Sequence, residues 1–266
     1  MKILVSLPSR KRPASFIGVV MSLWRLRSQI NDIAFATVCD PDDVRQRQAV
    51  SMLRLYNPEI PLTVHYPGEA LTLGAKWNLI ARDGDRFDSL TFMADKCFCL
   101  TYGWDAFIRG AYQQQPHRAL WWSCPDDPMT VVPIVPAKWP RPLVPEVFPF
   151  WFIDTWIEEV DILAFGEPSL KIACQYGGER LKTTNGRDFA HWCGLYASMQ
   201  NDRLQQAQAV ANAYGKRMTD PTNTLIQLAQ RDQSRLELAP AYEREYGEQR
   251  EPIPGIDEKG IAEYNL

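Results

Sequence analysis

The stretch Ser89-Leu90-Thr91-Phe92-Met93-Ala94-Asp95, with Gly103-Trp104-Asp105 shortly after it, decides how this chain folds. Residues 89–94 are mostly apolar, which is typical of a strand buried on both faces of a parallel sheet. A carboxylate, Asp95, follows the strand directly. Because open α/β sheets bind their ligands just outside the carboxyl ends of the strands, Asp95 is the first candidate for an active-site anchor.

Strands alternate with helices on both sides of this stretch. We expect strands at residues 2–7, 33–39, 62–66, 89–94 and 118–124, and a short one at 131–135 inside a proline-rich segment. We expect helices after Arg12-Pro13 and at about 43–56, 74–82, 103–115, 150–164, 187–214 and 221–238. This alternation predicts an α/β fold, with βαβ units and a mostly parallel central sheet flanked by helices. The charged tail from Pro240 is expected to lie on the surface or to be partly disordered.

Composition fits one large domain with an extension, which we place at residues 1–215 and 216–266. The chain has 266 residues, 45% of them apolar, and a net charge of −3, which argues against a nucleic-acid coat protein. Residues 1–60 carry nine Lys and Arg against five Asp and Glu, which suits an anionic ligand. We find no secretory signal or membrane span, and therefore expect a cytoplasmic protein with reduced thiols.

A basic loop follows the first strand and contains Pro8, Ser9, Arg10, Lys11 and Arg12. Loop amides and guanidinium groups at a strand end suit a diphosphate, whereas the plainer interpretation is a solvated basic loop. After the second strand, Asp40 is a candidate to accept hydrogen bonds from a base or a ribose. We expect Asp42 or Asp43 to cap the next helix, because Asp is a preferred N-cap residue.

A short helix near residue 74 offers further ligand candidates. Gly74 at its start permits close approach of a ligand, and Lys76 and Asn78 could reach a nucleoside or a phosphate. The alternative is an ordinary amphipathic helix with Trp77 in the core. Later in the chain, Asp154 lies inside an aromatic run and Glu158 follows one turn on, which suits general-base work, although Asp154 could simply cap its helix.

The order of these motifs resembles that of the GT-A glycosyltransferases, which depend on nucleotide sugars and have a Rossmann-like sheet. The form seen in bacterial and phage-type members is the most similar, and the resemblance covers roughly residues 1–195. The residues that carry it are Pro8, Ser9 and Arg12, then Asp40, then Gly74 and Asn78, then Asp95, and finally Gly103, Trp104 and Asp105.

The resemblance implies transfer of a sugar from a nucleotide sugar, with a uridine donor expected, to an acceptor hydroxyl. It places Asp154 as the base, with Glu158 as the fallback, and the residues after the strands as the donor site. It also implies a divalent metal, Mn²⁺ or Mg²⁺, with Asp95 and the late His191 as ligands. A lone helical histidine such as His191 is, however, more often structural than a ligand.

One departure from the family matters, because Lys96 stands where the family has its second aspartate. A hard divalent cation prefers oxygen ligands. Asp95 and His191 could still hold a metal, or Lys96 could itself neutralise the diphosphate and make the enzyme metal-independent. The third alternative is a non-catalytic module that binds nucleotide sugars.

The acceptor remains open on the sequence alone. Modified phage DNA, a surface polysaccharide or another glycan, and a small molecule are all compatible with the basic N-terminal part. A nucleotidyltransferase is a rival interpretation, and it would need a second acidic pair near Asp95.

Overall fold

The computed structural model describes residues 1–95, 97–123, 132–148, 152–177, 188–218 and 220–246. The chain forms two compact units. The first comprises Met1–Glu179 and Asn201–Leu225, and the second comprises Arg180–Gln200 and Ile226–Leu266. The first unit contains all the described strands, and the predicted division at residue 215 stays a prediction.

Strands and helices alternate through most of the described chain. The strands are β1 (Lys2–Ser6), β2 (Asp32–Val38), β3 (Leu62–His65), β4 (Ser89–Phe92), β5 (Phe98–Cys99), β6 (Leu120–Ser123), β7 (Pro133–Pro136) and β8 (Leu170–Gly177). The helices are α1 (Pro13–Arg25), α2 (Val44–Tyr56), α3 (Leu73–Ala81), α4 (Trp104–Gln114), α5 (Ile153–Phe165), α6 (Phe189–Ser198), α7 (Gln200–Ala213) and α8 (Thr222–Tyr246). Across the described residues, the structure has no helix long and apolar enough to cross a membrane.

The strands form one sheet in the order β3-β2-β1-β4-β7-β6-β8-β5. Four of the seven pairings are parallel, namely β2 with β3, β1 with β2, β1 with β4, and β6 with β8. The strands β7 and β5 run antiparallel to their neighbours. The predicted α/β fold with a mostly parallel sheet is therefore confirmed.

Strand direction defines two edges of this sheet. Because β7 is antiparallel to both β4 and β6, strands β1 to β4, β6 and β8 all point the same way. We call the edge at which these six strands end the carboxyl edge, and the opposite edge the amino edge. Parallel strands bring the residues that follow them together at the carboxyl edge, where ligands of such sheets bind.

The core lies on both faces of the sheet. Helix α1 packs on this core through Phe16, Val19, Val20 and Leu23, which are fully buried. Five tryptophans from the middle of the chain are also fully buried, so they act as core residues. They are Trp104, Trp121, Trp122, Trp139 and Trp156.

The Gly-Trp-Asp motif anchors α4 to the end of α1. Gly103 takes the left-handed conformation (φ +71°), and its N–H donates to Leu26 O at 2.6 Å. Trp104 Nε1 donates to Leu23 O at 2.9 Å, and the fully buried Asp105 accepts from both the N–H and the hydroxyl of Ser28 at 2.6 Å. The carboxyl end of α1 leads into β2, so this motif acts in packing at the amino edge.

Three local predictions were wrong. The strand β8 was missed, although its alternation of exposed and buried residues from Lys171 to Tyr176 is a strand signal. The single helix expected at 187–214 is two helices, α6 and α7, separated by Met199, whose N–H bonds back to Tyr196 O. Helix α8 also ends at Tyr246 instead of at the predicted residue 238, and it continues through Pro240.

The second unit is built from α6 and most of α8. The rings of Phe189 and Tyr242 lie 4.6 Å apart, and the guanidinium of Arg235 lies 5.3 Å from the ring of Tyr196. The N–H of Ala190, in the first turn of α6, donates to Glu243 at 2.8 Å. Aromatic contacts and one helix-end hydrogen bond therefore join the two helices.

Candidate functional site

Asp95 lies at the carboxyl edge, where the sequence predicted it. The hydroxyl of Ser9 donates to Asp95 Oδ2 at 2.9 Å, and Arg12 Nη1 lies 3.2 Å from Asp95 Oδ1. The carboxylate is 13% exposed and the Arg12 side chain 32% exposed, so neither is sealed in the core. The basic loop after β1 therefore reaches across to the end of β4.

Asp40 follows β2 and is fully buried among positive charges. Lys76 Nζ lies 2.5 Å from Asp40 Oδ2, and Arg10 Nε lies 3.6 Å from the same oxygen. The other oxygen accepts the N–H of Leu71 at 3.3 Å. The buried carboxylate of Asp40 therefore holds the side chains of Lys76 and Arg10 in position. The ligand roles of Asp40 and Lys76 stay predictions.

The next two carboxylates hold the same basic loop. Asp43 is the N-cap of α2, accepting the N–H of Gln46 at 3.0 Å, and it also accepts the N–H of Lys11 at 2.5 Å. The expectation that Asp42 or Asp43 caps this helix is thus confirmed for Asp43. Arg10 Nη2 donates to Asp42 at 2.9 Å, and this hydrogen bond lowers the pKa of the Asp42 carboxyl.

Together these contacts give the loop its shape. Pro8 is buried and begins the loop, Ser9 and Arg12 bond to Asp95, and Arg10 lies between Asp40 and Asp42. The side chain of Arg10 is 46% exposed. Two guanidinium groups are therefore held in place by carboxylates at the ends of β2 and β4, the strands on either side of β1, while part of each still faces solvent.

Asn78 is occupied by the chain itself. Its side-chain nitrogen donates to Val144 O at 2.8 Å, and its side-chain oxygen accepts the N–H of Leu143 at 2.9 Å. The residue is 3% exposed. Its amide holds the segment 143–148 against α3, and a ligand role for Asn78 stays a prediction.

Gly74 permits a close approach, but by the same segment of the chain. A Cβ placed on Gly74 would lie 2.4 Å from Pro145 O and 3.3 Å from Phe148 O. The N–H of Gly74 donates to Phe148 O at 3.2 Å. The glycine lets α3 and this segment pack backbone to backbone.

We therefore expect Gly74→Ala to destabilise the fold by about 2 kcal/mol, because overpacking against a fixed backbone forces local movement. Thermal and urea unfolding monitored by circular dichroism measures the change. Gly110→Ala on α4 is the matched control, since a Cβ there has nothing within 4 Å. Equal stability of Gly74→Ala and wild type would contradict the close packing.

The structure separates the two predicted bases. Helix α3 joins the end of β3 to the start of β4, so its first turn lies at the carboxyl edge, and Phe148 contacts that turn. The ring of Phe152, the N-cap residue of α5, lies 6.3 Å from that of Phe148, so Asp154, in the first turn of α5, lies near the carboxyl edge. Glu158 instead accepts from the hydroxyl of Ser169 at 2.7 Å, just before β8 begins at the amino edge.

Asp154 also takes part in the helix start. The N–H of Thr155 donates to Asp154 Oδ1 at 2.9 Å, but Phe152 is the N-cap residue of α5, so the interpretation of Asp154 as a helix cap is wrong. The side chain is half-buried. A half-buried carboxylate at this edge is compatible with the base role that the resemblance implies.

The donor set of the described residues does not fit a divalent cation. Among the described residues there is no group of three or more His, Cys, Asp or Glu side chains able to hold a metal. Asp95 is bonded to a hydroxyl and a guanidinium. Lys96 lies outside the described residues. His191 is exposed on α6 in the second unit, its ring 5.0 Å from that of Trp192, and its metal role stays a prediction.

A cavity beside Asp40 was not anticipated from the sequence. It has a volume of about 340 Å³, and its lining includes His65, Tyr66, Leu71 and Ala75. The cavity adjoins Asp40 because the N–H of Leu71 bonds that carboxylate. His65, predicted only as a strand residue, ends β3 with its Nε2 3.0 Å from Asp83. Its position at a strand end was the available signal.

Solved structures share this architecture. A mannosyltransferase, PcManGT from Pyrobaculum calidifontis in complex with GDP-Man and Mn²⁺, is similar with a TM-score of 0.62 and 10% identity, over 94% of this chain and 88% of that chain. TarS 1-349 from S. aureus is similar with a TM-score of 0.53 and 11% identity, over 98% and 92%. Its complex with UDP gives 0.51 and 12%, over the same shares.

These likenesses establish the fold. No protein-family model matches the chain, and no curated protein sequence matches it significantly. The structural coverage extends over almost the whole of this chain and of each neighbour. The chain therefore has the Rossmann-like GT-A fold that the order of its motifs predicted.

Proposed function

We propose that this chain is a glycosyltransferase that moves a sugar from a nucleoside-diphosphate sugar to an acceptor hydroxyl. The observation that carries the proposal is the pair Arg10 and Arg12, held by carboxylates that follow β2 and β4, the strands on either side of β1, and still partly exposed. The GT-A fold supports it, because the mannosyltransferase with this architecture was solved with GDP-Man. The uridine donor stays a prediction.

The chemistry requires positive charge where the diphosphate leaves. Breaking the sugar–phosphate bond gathers negative charge on the departing diphosphate, and fixed cations stabilise that charge. A guanidinium has five N–H donors, and the contacts of Arg10 and Arg12 with carboxylates use only some of them. Asp95 and Asp42 thus act as positioning residues that aim the two arginines before the donor binds.

The cavity next to Asp40 is our candidate site for the nucleoside. The cavity next to Asp40 falls in the size range of small-molecule sites, and Tyr66 gives it an aromatic wall. His65, Arg82 and Glu146 supply polar groups in its lining. We propose that the base and ribose occupy this cavity while the diphosphate lies towards Arg10 and Arg12.

The acceptor hydroxyl needs a base if the anomeric configuration inverts. We assign this role to Asp154, since it lies at the carboxyl edge whereas Glu158 is bonded to Ser169 at the amino edge. A carboxylate within hydrogen-bond reach of the hydroxyl would take its proton as the new glycosidic bond forms.

Calorimetry and a turnover screen test the proposal directly. We expect UDP or GDP to bind the full chain, and one nucleotide sugar in a panel that includes UDP-sugars and GDP-mannose to be hydrolysed or transferred. Acceptors in the screen are glycans, small hydroxyl compounds and DNA with hydroxylated bases. Binding without turnover of any donor would favour a non-catalytic module, and failure to bind any nucleotide would overturn the proposal.

Metal removal gives a separate prediction. Because the described donor set does not fit a divalent cation and arginines lie at the site, we expect EDTA to leave the nucleotide affinity within about twofold of its value with added Mn²⁺. Calorimetry with UDP and GDP in both buffers measures this. A tenfold or greater loss in EDTA would restore the predicted metal site at Asp95.

A further inference from the structure

The outer face of α2 presents apolar side chains to solvent. Val44, Met52, Leu55 and Tyr56 are 60%, 38%, 71% and 71% exposed. They make up four of the twelve large hydrophobic side chains that are exposed within the described residues, and all four lie on this one helix of 13 residues. Single exposed apolar residues are ordinary, but such a concentration marks an interaction surface.

The spacing of these residues places them together. Val44, Met52 and Tyr56 are separated by eight and four positions, so they share one face of a helix, and Leu55 lies three positions after Met52 on the same side. We call these four residues the α2 apolar row. The opposite face of α2 packs on α1 and the hydrophobic core, and its buried residues are Gln46, Ala49, Val50 and Leu53.

The charge on α2 has one sign. The helix contains Arg45, Arg47 and Arg54 and has no Asp or Glu. Arg54 donates to Leu62 O at 3.0 Å, and Arg47 lies 5.5 Å from the ring of Tyr66, which is also exposed. A carbonyl oxygen and an aromatic ring orient these side chains without cancelling their charge.

We propose that α2 docks the protein on an anionic lipid bilayer. A helix that offers apolar side chains beside arginines fits the boundary between headgroups and acyl chains, where each part finds its own environment. Helix α2 starts directly after Asp43, so its first turn adjoins the carboxyl edge. Docking would hold the candidate site next to the lipid surface.

The same features disfavour other occupants. A second copy of the chain meeting this face symmetrically would set arginines against arginines, which is unfavourable. A nucleic acid would satisfy the arginines but would offer mainly phosphate and sugar to the α2 apolar row, and those groups gain nothing from Val44 or Leu55. Lipid satisfies both the charge and the apolar surface.

Vesicle sedimentation with the full chain tests this proposal. We expect the protein to pellet with vesicles of phosphatidylcholine containing one-third phosphatidylglycerol, and not with phosphatidylcholine alone. Leu55→Ser with Tyr56→Ser should lower partitioning about tenfold, because buried apolar area contributes to interfacial binding. Arg45→Glu with Arg54→Glu should lower it about a hundredfold, since each basic side chain near an anionic surface contributes separately.

Matched controls are available on other surfaces. Leu238→Ser removes a side chain that is 66% exposed on α8, and Arg109→Glu reverses an exposed charge on α4. Neither should change partitioning, and circular dichroism checks that every variant is folded. No pelleting with anionic vesicles, or equal losses in the controls, would overturn the proposal.

Two further readouts separate the rival occupants. Loss of DNA binding in the α2 variants, without any vesicle binding by the wild type, would assign the face to nucleic acid. Conversion of a wild-type dimer to a monomer in light scattering would assign it to a second copy. UDP and GDP affinity should stay unchanged in the α2 variants, so this test is independent of the proposed function.

Discussion

Asp154→Asn should lower the rate of sugar transfer by about a thousandfold while leaving donor affinity unchanged, because a general base contributes to the chemical step and not to donor binding. The substitution keeps the size of the side chain and its ability to accept from the Thr155 N–H. It removes only the group that would take the proton of the acceptor hydroxyl. Steady-state kinetics with saturating donor measures the rate, and calorimetry measures the affinity.

Two further variants test whether the loss of activity is specific to Asp154. Asp202→Asn changes an exposed carboxylate in the first turn of α7 and controls for loss of a helix-end charge, so it should keep the wild-type rate. Glu158→Gln discriminates between the two predicted bases, and its contact with Ser169 leads us to expect a rate within about threefold of wild type. A collapse in Glu158→Gln together with a normal rate in Asp154→Asn would move the base to Glu158.

The sequence predicted those parts of the site that depend on local order along the chain. A short stretch of sequence is enough to predict a strand followed by a polar loop. Parallel pairing of the strands then brings such loops together at one edge of the sheet. Arg12, Asp40 and Asp95 lie at this edge because they follow β1, β2 and β4, which are parallel to one another. The cap at Asp43 is equally local, since a side chain bonding an N–H three residues on needs no distant partner.

What the sequence did not predict depends on distant partners. Gly74 was predicted to let a ligand approach closely and Asn78 to contact it, yet both contact residues 143–148, far along the chain. The residues around them do not indicate whether they contact a ligand or a distant segment of the same chain. Likewise, the proline-rich stretch contains β7, whose place between β4 and β6 is set by antiparallel partners on both sides.

The cavity beside Asp40 was missed for a similar reason. Its walls come from the end of β3, from α3 with the residues on either side of it, and from Glu146, which is far along the chain. Each of these residues alone looks ordinary. Only the closure of the βαβ unit, which brings α3 back over the end of β3, forms the cavity.

Arg12→Ala should weaken UDP or GDP binding by about 30-fold, equivalent to about 2 kcal/mol, because it removes one charge-assisted contact with the diphosphate. Arg12 lies at the entry to α1, so Arg25→Ala at the other end of the same helix is the matched control. Arg25 is exposed at the amino edge and its loss should leave affinity unchanged. Calorimetry at fixed ionic strength makes the comparison, since salt screens exposed charges.

Asp95 and Arg12 should act as one unit in this binding. If Asp95 works by holding Arg12 at 3.2 Å, then Asp95→Ala weakens nucleotide binding by misplacing the guanidinium, and transfer falls with it. The double variant should then bind no more weakly than Arg12→Ala alone, because the second substitution removes a partner that is already lost. Additive losses would show that Asp95 acts on the donor independently of Arg12, and wild-type affinity in Asp95→Ala would remove Asp95 from the site.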